Sequence, residues 1–110
     1  MLIYEGRLNW SKNPLDSAEL FYRECLPGIR RMLQNEANPD IRDGAIIVFR
    51  NRWPSHRAWR LAVIQDLARE SAPKRVNGIV APDHANIQPT VEWLTQAPGV
   101  TGQLLEIERD

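Results

Sequence analysis

A chain of 110 residues, 43% hydrophobic and 25% charged, has the make-up of one globular domain and is too short for two. Its 14 basic residues are balanced by 14 acidic ones, so it is not built to neutralise a run of phosphates, which argues against a nucleic-acid binder. No window approaches the roughly 18 consecutive apolar residues of a membrane span, and Met1 to Gly6 lack the basic-then-apolar pattern of a signal peptide. A soluble cytoplasmic protein is the resulting expectation. The single cysteine, Cys25, fits a reducing compartment, and its apolar helical surroundings read as those of a small buried hydrophobe rather than a nucleophile.

In chain order, Leu2-Ile3-Tyr4 is a short apolar run closed by Gly6 and reads as a strand. After a loop carrying Trp10, Asn13-Pro14 offers a helix cap followed by the residue best suited to the first helical position. Asp16 with Glu19 offers an alternative start with capping-box spacing. Leu15, Phe21, Cys25, Ile29, Met32 and Leu33 then recur every three to four residues, an amphipathic helix that Pro27 should kink, or whose regular part it should end. The polar stretch from Asn35 to Asp43 holds an Asn-Pro-Asp turn signal. Ala45 to Phe49 is an unbroken, largely β-branched run, the pattern of a strand buried on both faces.

Asn51 to Ser55 turns the chain, with Ser55 as the expected cap of a second helix that runs to about Ser71, where Ala72-Pro73 stops it. Val76 to Val80 is another buried strand, ended by Ala81-Pro82-Asp83. A third helix spans about Gln88 to Thr95 and closes at Pro98-Gly99, and Gln103 to Ile107 forms the last strand. The order β-α-β-α-β-α-β predicts an α/β fold, a four-stranded parallel sheet with crossover helices, as a single domain over residues 1–110.

Four stretches then line up on these elements. Phe21-Tyr22-Arg23-Glu24-Cys25-Leu26-Pro27-Gly28-Ile29, Gly44-Ala45-Ile46-Ile47-Val48, Leu67 to Ile79 with its Ala72-Pro73 and Arg75-Val76-Asn77, and Val100-Thr101-Gly102-Gln103 to Ile107 resemble, in order, the C-terminal half of the short-chain dehydrogenase/reductase family. The resemblance implies a truncated Rossmann-like fold. It also implies a cofactor turn and a catalytic set, and here the sequence departs from the family. The TGxxxGxG turn, whose glycines let backbone amides approach a pyrophosphate, has no counterpart among these residues, so no cofactor is expected. The family's Tyr-x-x-x-Lys pair falls on Trp53 and Arg57. Indole is no proton donor at neutral pH, and a guanidinium stays charged. The family serine falls on Arg50 or Asn51, and the asparagine of its proton relay on Pro14 or Asn13. The family's Pro-Gly is Pro82-Asp83, and its substrate-binding insertion is reduced to Asp83 to Asn86. The expectation is therefore a protein without dehydrogenase activity.

Right-handed crossovers between neighbouring strands place their helices on one face of a sheet. The other face then needs a cover: the loop around Trp10, the third helix, a second copy, or a partner that completes the enzyme in trans. In the second helix, Ala58, Leu61, Ala62 and Ala68 form one narrow face, and Trp59, Val63 and Leu67 another. The resemblance implies that this helix packs in a bundle between subunits, so Trp59, Val63 and Leu67 are the expected oligomer interface and a homodimer the simplest assembly.

Arg50, Arg52, Arg57 and Arg60 crowd with His56 into a stretch without an acid, starting at the C-terminal end of a strand, where open α/β sheets bind ligands. Arg50, Arg52, Trp53 and Arg57 are the candidate contacts for a small anionic ligand. The alternative is a solvated face whose arginines pair with Asp40, Asp43, Asp66 or a neighbouring subunit. His56 and His84 lack metal-ligand spacing, so no metal site is expected, and Asp83-His84 has no serine or cysteine tied to it. Asn77 reads as a satisfied structural residue, Trp93 as core or interface. Three functions follow: a non-catalytic oligomeric interaction module, an anion binder, or a subunit completed in trans to a nicotinamide-dependent oxidoreductase.

Overall fold

The computed structural model describes residues 1–6 and 10–108. Its strands are β1 (Leu2–Glu5), β2 (Gly44–Phe49), β3 (Arg75–Val80) and β4 (Leu104–Glu106), all parallel and in the order β1-β2-β3-β4. The chain between β1 and β2 forms α1 (Pro14–Leu20), a π-helical turn (Phe21–Cys25) and α2 (Leu26–Gln34). Helix α3 (Arg57–Ser71) joins β2 to β3, and α4 (Gln88–Thr95) joins β3 to β4. This is the α/β, truncated Rossmann-like architecture expected from the periodicities.

Local chemistry accounts for the element ends. The Asn13 side chain accepts from the amides of Leu15 at 2.9 Å and Asp16 at 3.2 Å, so α1 starts at the Asn-Pro pair and not at Asp16. Before Pro27 the regular α-helix is interrupted, while the helical run continues to Gln34. The missing N–H of Pro27 leaves one carbonyl of the preceding turn without an α-helical donor, and the turn before it takes the wider π spacing, with the Leu26 amide donating to the Phe21 carbonyl. At the far end, Lys74 Nζ donates to the Leu33 carbonyl at 2.7 Å and to Glu36 at 2.8 Å, capping α2 from the head of β3. Ser55 caps nothing. A short 3₁₀ turn (Pro54–His56) leads into α3, and the Ser55 hydroxyl turns to the His56 ring instead.

Two glycines are required by close approach. Gly44 opens β2 at φ +115°, and a Cβ there would lie 1.7 Å from the Arg75 carbonyl oxygen. At Gly78 a Cβ would meet Ile64 at 2.9 Å and Leu104 at 2.7 Å, so glycine lets α3 sit down on β3.

Alternation along β2 and β3 divides the core into two layers. Ala45, Ile47, Phe49, Val76 and Val80 face Phe21, Cys25, Ile29 and Leu33 of the first helical segment and Val63, Ile64 and Leu67 of α3. Ile46, Val48 and Ile79 point the other way, onto Ala85, Val91 and Leu94. The single-face expectation is therefore corrected. The third crossover steps in the same lateral direction as the first two but runs over the opposite face, and so has the opposite hand. Of the covers weighed from sequence, α4 and the loop before it take that face. Trp10 packs on the α3 side, 6.3 Å from Phe21.

Asn77, wholly buried in β3, is fully used. Its Nδ2 donates to the Val100 carbonyl, and its Oδ1 accepts from the Gln103 amide, both at 3.0 Å. Among the described residues, no helix is long and apolar enough to cross a membrane.

Candidate functional site

The C-terminal ends of the parallel strands are the place where this architecture binds ligands, so the side chains there decide what chemistry is available. Glu5 ends β1 and Arg50 follows β2, and the strand register puts both on the same side of the sheet. Arg50 Nε pairs with Glu5 at 3.1 Å, and Nη1 donates to the carbonyls of Pro82 at 3.3 Å and Ala85 at 2.7 Å. One guanidinium thus ties three consecutive strand ends together. Arg52 reaches the other way, donating to the Glu108 carbonyl at 2.8 Å and facing Glu106 at 3.9 Å.

Of the other two residues predicted to contact an anion, Trp53 is half-buried against the His56 ring, 5.0 Å between centroids. Arg57 is exposed at the start of α3 and makes no ion pair among the described residues. The four candidates therefore do not converge as a set. The acidic partners weighed from sequence also change. Asp66 bonds Arg69, while the arginines of the cluster use Glu5, Glu106, Asn51 and main-chain carbonyls.

The most buried arginine of the cluster, Arg60, is not among the four candidate contacts. It is 2% exposed and gives both terminal nitrogens to Asn51, Nη1 to the carbonyl at 2.8 Å and Nη2 to the side-chain oxygen. Its guanidinium lies 4.9 Å from the Phe49 ring and 5.6 Å from that of Trp59. Burial lowers its pKa to about 10, against a smaller upward pull from Glu106. The apolar spacing of α3 hides this residue, because a charged side chain on the inner face breaks the pattern.

His56 is also wholly buried. Its Nε2 lies 3.0 Å from the Ser11 carbonyl, which can only accept, so Nε2 carries the proton and Nδ1 accepts from Ser55 at 3.3 Å. The same Ser11 carbonyl accepts the Ser17 hydroxyl at 2.6 Å, so the chain before α1 is fastened to the head of α3. Burial pulls the His56 pKa down, the Ser11 bond opposes this, and nearby Arg60 adds to the lowering.

At the positions where the resemblance places proton-transfer groups, Asn13 caps a helix, Asn51 holds Arg60, Trp53 packs on His56 and Arg57 faces water. Neither an indole nor a guanidinium releases a proton near neutral pH. Cys25 is buried, its thiol pKa raised first by that burial. Burial likewise raises the pKa of the Tyr4 phenol, to about 12. Among the described residues, no three His, Cys, Asp or Glu side chains gather into a metal site.

Within the protomer, the expected interface residues are buried or half-buried. Val63 and Leu67 pack in the core, and Trp59 is half-buried between Phe21 at 5.5 Å and Phe49 at 5.8 Å. The outward face of α3 instead presents Ala58 and Ala62, exposed, with Leu61 half-buried. Beside it, Tyr22, Leu26, Val63 and Leu67 line a groove of about 270 Å³ edged by Arg30, Asp66 and Glu70. Trp93 is 57% exposed, so it is not core. It borders a hollow of about 390 Å³ with Pro89, Leu105 and Ile107.

Comparison with known proteins agrees with the architecture. The SDR-like family, described as short chain dehydrogenase-like protein, matches residues 8–107. No curated protein and no solved structure gives a match. With nearly the whole chain matched and the strand order and asparagine-anchored β3 in place, the protein belongs to the short chain dehydrogenase-like family.

Proposed function

We propose that this chain is a non-catalytic member of its family that acts as an oligomeric interaction module in the cytoplasm. The observation that carries the reading is the state of the strand ends: Arg50 and Arg52 bind the ends of the strands to one another. The resemblance in turn puts Trp53 and Arg57 at the positions of the family's phenol and ammonium. A general acid must hold a proton it can release near neutral pH, and neither indole nor guanidinium does so.

The simplest assembly is a two-fold dimer through α3. Ala58 and Ala62 let a second helix approach closely, and Leu61 supplies apolar contact. Antiparallel pairing centred between Leu61 and Ala62 sets Ala58 against Gln65 of the second copy and Arg57 against its Asp66. Arg57, without an ion pair among the described residues, thereby gains one. Native mass spectrometry at low micromolar concentration tests this. A dimer is expected for the wild type, a monomer for Arg57→Glu, and a dimer again for Arg57→Glu with Asp66→Arg. A monomeric wild type refutes the assembly. Turnover of any carbonyl substrate with a nicotinamide cofactor refutes the non-catalytic reading.

A second reading, a subunit completed in trans, has one observation in its favour. Strand β1 has an open edge, and Ile3 on it is 41% exposed. Copurification of a partner bearing a glycine-rich dinucleotide turn would select it.

A further inference from the structure

One wholly buried imidazole joins two parts of the chain that lie 45 residues apart. His56 stands at the head of α3, and its Nε2 donates to the Ser11 carbonyl at 3.0 Å. Ser11 belongs to no helix or strand. Its amide donates to the Ser17 hydroxyl at 3.1 Å, and that hydroxyl donates back to the Ser11 carbonyl at 2.6 Å. To either side the chain is held without His56, since β1 pairs with β2 and α1 has its own cap in Asn13.

The surroundings of the ring suit its neutral form. The rings of Trp53 and Trp59 stand 5.0 Å and 6.2 Å away, and the positive end of the α3 dipole lies at this residue. One turn on, Arg60 is 2% exposed and carries the charge that a protonated imidazole would also carry. Glu106, at the end of β4, acts on Arg60 and faces Arg52. From α1 the group at the contact is the uncharged Ser17, with Asp16 and Glu19 exposed, and Lys12 and Arg57 are exposed cations on the chain to either side. Among the described residues, no carboxylate lies within ion-pair distance of the ring.

Protonation need not break either hydrogen bond of the ring, because Nε2 already donates and the Ser55 hydroxyl can accept from Nδ1. What it adds is a charge in a dry place beside a second cation. Water relieves that charge once a cover leaves. Trp53 belongs to the ring's own turn, so the cover that can leave is the chain at Ser11.

We propose that His56 is an acid-sensitive latch: neutral, it holds the chain at Ser11 against the head of α3, and protonated, it lets that chain go. Release undocks Trp10 from Phe21, on which it packs at 6.3 Å, and leaves α1 and the sheet in place. The latch does not depend on the assembly proposed above. The sign follows from the burial. In the open form the ring takes its proton near the ordinary 6.5, and in the closed form only at lower pH, so acid favours opening between those two values.

Amide exchange of the whole chain, read residue by residue by NMR from pH 7.5 to 4.5 and corrected for intrinsic rates, tests the latch. Protection of the Ser11 amide should fall by up to tenfold per pH unit below about 6.5, while Ile47 and Ile79 in the central strands keep theirs. His56→Gln stays uncharged and can still donate to the Ser11 carbonyl, so its Ser11 protection should not vary with pH. Circular dichroism confirms that the variant folds. A measurement on the wild type stands beside it: the fall must stop where the imidazole nitrogen shifts show His56 fully protonated. Protection that is flat with pH in the wild type, that falls in step with Ile47 and Ile79, or that still falls in folded His56→Gln overturns the proposal.

Discussion

Replacing Asn77 by leucine tests whether the fourth strand is held by one side chain. The residue is wholly buried in the middle of β3, and its carboxamide joins two points flanking the turn into β4: the Val100 carbonyl and the Gln103 amide, each at 3.0 Å. Leucine has the same branched shape and number of side-chain heavy atoms, so no cavity is opened, but both main-chain groups lose their partner. An orphaned buried polar group costs about 1–3 kcal/mol. Val100 is half-buried and Gln103 exposed, so water recovers part of that loss, and the total should fall at about 2–4 kcal/mol. For a domain of this size each kcal/mol moves Tm by about 4 °C, so a drop of about 10 °C is expected in calorimetry at neutral pH. Asn77→Asp sharpens the test. It keeps the acceptor for the Gln103 amide but buries a carboxylate that repels the Val100 carbonyl. Burial raises that carboxyl's folded pKa, so the variant should be more stable near pH 4 than at pH 7. If Asn77→Leu melts within 2 °C of the wild type, and Asn77→Asp shows no gain on acidification, the anchoring argument is wrong.

Other consequences are open to measurement. His56 is held neutral by burial, with its folded pKa below the ordinary 6.5. Its contribution is complete above that value and is lost as pH falls through the folded pKa, so the urea midpoint should decline from about pH 6.5 downward, and His56→Gln should flatten the decline. Gly44→Ala drives a methyl into the Arg75 carbonyl at a positive φ and should prevent accumulation of folded protein, whereas Gly99, with open space around it, should accept alanine with a change of less than about 1 kcal/mol. His84 occupies the left-handed region at φ 66° in the turn closed by the Ala85 amide on the Pro82 carbonyl, so His84→Gly should stabilise by about 0.5–1 kcal/mol in urea unfolding.

How much of this was legible in the sequence depends on which interactions leave a period behind. The strands Ala45 to Phe49 and Val76 to Val80 are runs of residues that suit a two-sided sheet, and their burial follows directly. The start of α1 was visible because Asn13-Pro14 is a cap with a mechanism. The π turn was not, since a helix that widens and one that breaks at Pro27 begin with the same pattern. The basic cluster was visible as composition, but its partners were not. Glu5 lies 45 residues from Arg50 and becomes its neighbour only once the parallel register is set. For α3, two apolar stripes were evident, and periodicity does not say which one faces inward. The larger residues, Val63 and Leu67, went to the sheet and left Ala58 and Ala62 outside, while Ala68 is buried with them.

The hand of the third crossover also changes the reason for expecting a partner. Had α4 lain beside α3, Ile46, Val48 and Ile79 would face water, and a second chain would be needed to bury a sheet face. With α4 opposite, those three are at most 3% exposed within one chain, and Asn77 holds the returning strand in register from the inside. What remains open is of another kind: the edges β1 and β4, the alanine seam of α3, and Trp93 over its hollow. These are surfaces on which a folded protomer can recognise another molecule. Association is therefore expected to be reversible and dilution-dependent, with the protomer staying folded when it is alone. Arg57→Glu should accordingly release monomers with native circular dichroism, whereas an interface required for folding would release only unfolded chain.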